Sequence, residues 1–246
     1  MKLKVLTLGD EDLTQWISNS LRERGIEVIR FSSAPEAINK LKQESFNLAV
    51  VDSTMEDLSN VCFRLIWLCR VRTAVLIRDI QTDWSELRSL GVEAFISENS
   101  GPAKVSAIIE EIGRLGNYQF DKIKVLIVED DEQTREALRL TFQICWPEAE
   151  VSFADEGQAG ITLARHKPQD VILLNLGLPD INGFEVLNQI RAFSQVPVII
   201  LTANRDKENV IRALKSGADD YIVKPFKQSQ LMVKVRKMVN QGLTQR

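Results

Sequence analysis

The sequence is poor in the residues that most catalytic and metal sites use. Its 246 residues include one histidine, His166, and three cysteines, Cys62, Cys69 and Cys145. A single histidine excludes any mechanism that needs a pair. His166 stands before Lys167-Pro168 at an expected helix end, where a surface position is the default. An odd number of scattered cysteines, each inside an apolar segment, argues for buried free thiols rather than a disulfide framework or a zinc site. Long apolar runs are missing too, none approaching the ~20 residues that cross a bilayer. The N-terminal apolar stretch is short and soon meets Asp10, unlike a signal peptide, which predicts a cytoplasmic protein with no membrane contact. The net charge of −3 argues against nucleic-acid binding as the main task. Neither Gly-x-x-x-x-Gly-Lys-Ser/Thr nor Gly-x-Gly-x-x-Gly occurs, so the common phosphate-cradling loops are absent.

What is present is an ordinary globular balance, 44% hydrophobic and 26% charged, in a length that suits two domains. Short branched apolar blocks alternate with segments of helical period. In the second half the blocks are 125–128, 151–153, 171–174, 198–201 and 221–223. Nearly all-apolar blocks of this length suit strands buried on both faces of a parallel sheet. Helical patterns fall at 132–145, 158–166, 183–193, 207–216 and 228–239. The first half repeats this order: Lys4-Val5-Leu6 parallels Lys124-Val125-Leu126, and Asn47–Asp52 parallels Asp170–Asn175. The expected architecture is α/β, with two doubly wound five-stranded parallel sheets of (βα)5 type. The expected domains are 1–116 and 122–246, joined by 117–121, either a loop or an extension of the preceding helix.

Ligands of open parallel sheets bind beyond the carboxyl ends of the strands. In the second half those ends supply Glu129-Asp130-Asp131, Asn175, Thr202-Ala203 and Lys224-Pro225. Carboxylates, a hydroxyl and an ammonium converging on one crevice suit a hard cation and a phosphoryl group.

These residues, with 125–132, Leu-Pro-Asp-Ile-Asn-Gly at 178–183, 197–203 and 217–226, resemble the receiver domains of two-component response regulators, the CheY-like, flavodoxin-like family. The resemblance implies magnesium held by Glu129, Asp130, the residue at 175 and the Gly177 carbonyl. It implies a Thr202–Tyr221 switch, a phosphate-contacting Lys224, and an aspartate acceptor phosphorylated by a sensor histidine kinase or phosphotransfer protein. The acceptor position holds Asn175. An amide forms no comparable acyl phosphate and removes a negative charge from the metal site, so magnesium is expected to bind weakly or not at all. Two explanations stay open: a natural pseudo-receiver, or an Asp→Asn substitution in a competent domain.

The first half keeps Asp52 at the acceptor place and Asp10 as a remnant of the acid pair, with Arg78 taken at the threonine position and Glu98 at the lysine position. A degenerate receiver-like domain with a leftover Asp52 is favoured over a working acceptor. The apolar segment 61–69 reads as core, or as an interface.

The expected function is a signalling protein that acts through protein contacts rather than as an enzyme, and serves as the regulatory part of a transcriptional or other output. Lys207, Arg212, Lys215, Asp219, Asp220, Lys234 and Arg236 resemble the dimer face of winged-helix regulators, which implies a homodimer. An output domain or partner is expected outside these residues. The alternative is a magnesium-dependent phosphatase or nucleotide-binding enzyme on a similar sheet.

Overall fold

The computed structural model describes residues 3–22, 24–78, 83–203 and 207–244. The chain divides into two compact units, 1–119 and 120–246.

In the first unit the order is β1 (Lys4–Leu8), α1 (Glu11–Arg22), β2 (Glu27–Phe31), α2 (Ala34–Leu41), β3 (Leu48–Asp52), α3 (Leu58–Phe63), β4 (Thr73–Ile77), α4 (Ser85–Leu90), β5 (Ala94–Ser97) and α5 (Pro102–Arg114). All pairings are parallel, in the order β2-β1-β3-β4-β5. Alternation along β3 builds two cores. Leu48 and Val50 join Ile17, Leu21, Val105 and Ile109 under α1 and α5. Ala49 and Val51 join Ala37, Ile38, Val61 and Leu65 under α2 and α3. This is the period-2 consequence of a strand covered on both faces.

Most of the apolar segment 61–69 is core, with Leu68 exposed. It runs from α3 into a π-helical turn at Arg64–Leu68. Trp67 is fully buried, and its indole N–H donates to the Leu90 carbonyl at 3.2 Å. That bond satisfies the one polar group the ring takes out of water.

The second unit runs β6 (Lys124–Val128), α6 (Glu132–Cys145), β7 (Glu150–Ala154), α7 (Gly157–His166), β8 (Val171–Asn175), α8 (Gly183–Arg191), β9 (Val198–Thr202), α9 (Lys207–Lys215), β10 (Asp220–Val223) and α10 (Gln228–Thr244). Its strands pair in parallel in the same topology, β7-β6-β8-β9-β10. Leu126, Ile172, Leu174 and Ile200 face a core with Ile161, Val186, Leu187 and Ala213 from α7, α8 and α9. Leu138, Phe142, Leu231 and Val235 of α6 and α10 are also buried.

At the joint, α5 ends at Arg114 and Gly116 takes φ +73, so the preceding helix does not continue through 117–121. Cys62 and Cys145 are buried free thiols, and burial pushes the Cys62 thiol up to about 12. Cys69 departs from the expectation: it lies just past the π-helical turn and is only half-buried. His166 is exposed as expected, with Nδ1 2.9 Å from the Thr162 carbonyl. Among the described residues no helix is long and apolar enough to cross a membrane.

Candidate functional site

The pairing register fixes which residues of the two units correspond. Asn175 on β8 faces Leu201, and Asp52 on β3 faces Leu76, so these two residues are equivalent. Thr202 pairs with Val223 and Ile77 with Ser97. The threonine place in the first unit is therefore Ile77, and Arg78 corresponds to Ala203. This corrects the assignment of Arg78 by one residue. The first polar residue after the apolar run marks where the run ends, whereas hydrogen-bonded partners set the register. Glu98 does correspond to Lys224, since Glu98 donates its N–H to Ile77 (3.2 Å) and Lys224 to Thr202 (2.7 Å).

In the second unit the strand ends bring Glu129, Asp130, Asn175, Gly177, Thr202 and Lys224 to one cleft of about 520 Å³, also lined by Asp131, Asn182 and Phe184. Tyr221 does not line it. It lies with Thr202 among Leu176, Ile200, Val210 and Ala213, around a gap too tight to hold a water molecule.

The walls of the cleft are held from several sides. Asp131 caps α6, accepting from the Thr134 N–H at 2.7 Å and the Thr134 hydroxyl at 2.6 Å. These bonds favour the ionised form and lower its pKa. Arg135 donates to the Glu129 and Asp130 carbonyls at 2.9 and 2.6 Å, fixing the loop that carries both acids. Asn182 caps α8 by accepting from Phe184 N–H at 2.9 Å. A Cβ on Gly183 would meet the Asn175 carbonyl oxygen at 2.4 Å, so the start of α8 approaches β8 as closely as only glycine allows. Asp180 accepts from the Gly157 and Gln158 N–H groups at 2.8 and 2.9 Å, tying this loop to the start of α7. Arg135 and Asp180 were not singled out from sequence. The Asp131-x-x-Thr134 spacing was a readable cap signal, but neither Arg135 nor Asp180 has a local partner that marks it.

At the centre Glu129 is fully buried. Burial raises its carboxyl pKa, and Lys224 beside it pulls the other way. Lys224 Nζ lies 2.6 Å from Glu129 Oε2. Lys224 thus forms an ion pair across the cleft with the buried acid. Asn175 Nδ2 donates to Asp130 Oδ1 at 2.7 Å, Glu129 Oε1 at 3.1 Å and the Gly177 carbonyl at 3.2 Å. The donor set has the chemistry for a hard cation, with two carboxylates and a carbonyl. As arranged it does not fit one, because an N–H donor stands where the three oxygens converge.

The family profile described as "Response regulator receiver domain" matches residues 125–236. Residues 125–236 are a response regulator receiver domain. The chain is 40% identical over 118 residues to the transcriptional regulatory protein AfsQ1 of Streptomyces coelicolor, covering 48% of this chain and 52% of that protein. It spans about half the length of the curated relatives it matches. Among solved structures, the Francisella response regulator 1452 receiver domain is 30% identical with TM-score 0.46, over 49% of this chain and 98% of that one. The receiver domain of sensor histidine kinase PA1611 from Pseudomonas aeruginosa PAO1 is 26% identical with TM-score 0.45, over 49% and 99%. That structure is described with a magnesium ion coordinated in its active site cleft. The matched family leaves the phosphatase or nucleotide-binding alternative without support. Within the receiver domain, Asp219 pairs with Arg191 at 2.8 Å and Asp220 with Lys234 at 2.6 Å. Arg212 lies over the Phe184 ring at 4.3 Å. The side chain of Lys207 lies outside the described residues.

In the first unit Gly9 stands where the receiver domain has Glu129. Gly9 adopts φ +146, and a Cβ there would meet Asp52 Cβ at 2.3 Å. The Asp52 side chain is 1% exposed. It accepts from the Thr54 N–H at 2.9 Å and the Asp10 N–H at 3.4 Å, and lies 3.7 Å from Arg78. The Asp10 carboxylate turns to α1 instead, accepting from the Asp12 N–H at 2.9 Å. Glu98 lies 3.9 Å from Arg78, so the guanidinium lies within reach of both acids.

Proposed function

We propose that this chain is a two-component signalling protein with tandem receiver-type units, in which the receiver domain works through protein contacts without accepting a phosphoryl group at residue 175. One observation carries the reading. The residue at the acceptor position is an amide whose nitrogen is hydrogen-bonded to both neighbouring acids. A phosphoryl acceptor needs a free carboxylate oxygen to attack phosphorus, and Asn175 has none.

The partners proposed are a sensor histidine kinase or phosphotransfer protein, an output domain or output protein, and a second copy meeting the α9–β10–α10 face. No direct nucleic-acid contact is assigned to these residues. The first unit is a degenerate partner whose Asp52 is occupied by Arg78. Glu129, Asp130 and Gly177 would serve a magnesium ion only with an aspartate at 175, where Lys224 and Thr202 would then face the phosphoryl oxygens.

The test is labelling of the full chain with acetyl phosphate and magnesium, followed by mapping of the modified residue. No label is expected in 125–236 of the parent, and Asn175→Asp should gain one there. Label within 125–236 of the parent overturns the reading. Label at Asp52 would make the first unit the acceptor.

A further inference from the structure

We infer that Asn175 and Lys224 together replace the divalent cation: the acids of the receiver domain's cleft are bridged and partly charge-compensated by its own chain, and cation binding must compete with the Asn175 amide. This rests on the proposed reading and concerns the regulation of the same pocket.

The geometry is that of a filled site. Three oxygens from two loops, on Glu129, Asp130 and Gly177, lie 2.7–3.2 Å from a single nitrogen. An amide nitrogen carries two protons, so three acceptors share two donors, as acceptors around a cation share its charge. The network also fixes the orientation of the amide. With Oδ1 turned inward, four oxygens would face one another with no proton or cation between them. The remaining Glu129 oxygen is taken by Lys224 at 2.6 Å.

Charge points the same way. Glu129, Asp130 and Lys224 leave one uncompensated negative charge; an aspartate at 175 would leave two and supply no donor. Magnesium needs oxygens at about 2.0–2.1 Å. To be reached at that distance, the three oxygens must give up the amide that now spans them. A cation at this cleft therefore gains only what remains after the amide's three contacts are given up.

The experiment is Mn2+ binding to the full chain, read as free Mn2+ by electron paramagnetic resonance. Each chain is compared with its own Asp130→Asn version, so that only this pocket is counted. The parent should show no Asp130-dependent binding in the millimolar range. Asn175→Asp should bind at least about tenfold tighter, as expected when a like-charged ligand cluster gains a cation. Asn175→Ala removes the amide without adding charge, and should also bind tighter than the parent. The inference is overturned if the parent binds as tightly as Asn175→Asp, or if Asn175→Ala binds no tighter than the parent. Acetyl phosphate labelling separates the two readings. If Asn175→Asp gains Mn2+ but no label, the receiver reading fails and the cation replacement stands. If it is labelled while the parent already binds Mn2+ equally well, the reverse holds.

Discussion

In the first unit the first strand is followed by Gly9 and the central strand ends in Asp52; in the receiver domain the corresponding residues are Glu129 and Asn175. Each pocket therefore keeps one deeply buried carboxylate, but on opposite sides of the same strand pair. Asp52 lies in the space a side chain at Gly9 would need, and Glu129 lies beside an amide that donates to it. Each buried carboxylate also has a cation from its own unit. Arg78, just past β4, stands 3.7 Å from Asp52 and is 45% exposed. Lys224, just past β10, stands 2.6 Å from Glu129 and is 18% exposed. The exchange shows what this sheet edge tolerates. Two adjacent buried carboxylates cannot both ionise cheaply without a strong positive charge, and each unit avoids the problem by giving up a different one.

The two compensations differ in depth, and the sharpest way to break the comparison is to remove them. Lys224→Met leaves Glu129 buried and uncompensated, which should destabilise the receiver domain by about 3–5 kcal/mol. Urea unfolding of the full chain, followed by proteolysis to identify which unit opens, measures this. A loss under about 1 kcal/mol would mean that the ion pair is incidental. Arg78→Ala is the matched change in the first unit. Arg78 is half in solvent and its pair is longer, so about 1 kcal/mol is expected. If it costs as much as Lys224→Met, the two pockets are compensated alike and the contrast fails.

The smallest effect concerns the second helix of each unit. In the receiver domain α7 receives Asp180 from a distant loop; in the first unit Ser33 precedes α2 and makes no side-chain cap bond. The bonds from Gln158 and Gly157 hold the Asp180 carboxyl below its ordinary value of 3.8. A depressed carboxylate pKa contributes stability above the ordinary value and loses it as pH falls through the folded value. Asp180→Asn should therefore lower the receiver domain's unfolding temperature at pH 7, with the deficit closing in strong acid and the first unit unaffected. An equal deficit at both extremes would show that the bonds do not depend on the charge.

Much of the fold was legible because β3, β4, β8 and β9 are buried on both faces, and such strands spell themselves as unbroken apolar blocks. The π-helical turn was not legible. Apart from Arg64 the run from Val61 to Cys69 is apolar, so it carries no clear period from which an extra residue per turn could be read. In the site, Glu129, Asp130, Asn175, Thr202 and Lys224 were found because strand ends mark themselves where apolar runs stop. The same rule misplaced Arg78, which follows an apolar run but pairs one residue out of step with Thr202. Tyr221, which the resemblance couples to Thr202, pairs with Ile200, two residues before Thr202, so the period of two puts both side chains on one face, with Tyr221 beside the small gap rather than in the cleft.

The sequence alone determined that there are two copies of one sheet, that the second carries the receiver motifs, and that its acceptor position holds an amide. Those facts are local, written in residue identity and spacing. Only the tertiary structure decided which group compensates which. Asn175 reaches Glu129 across 46 residues of chain, and Lys224 reaches the same carboxylate from the far edge of the sheet. Hydrogen bonds act over about 3 Å, so partners so distant in sequence are chosen by strand register and burial, and neither is visible in the order of the residues.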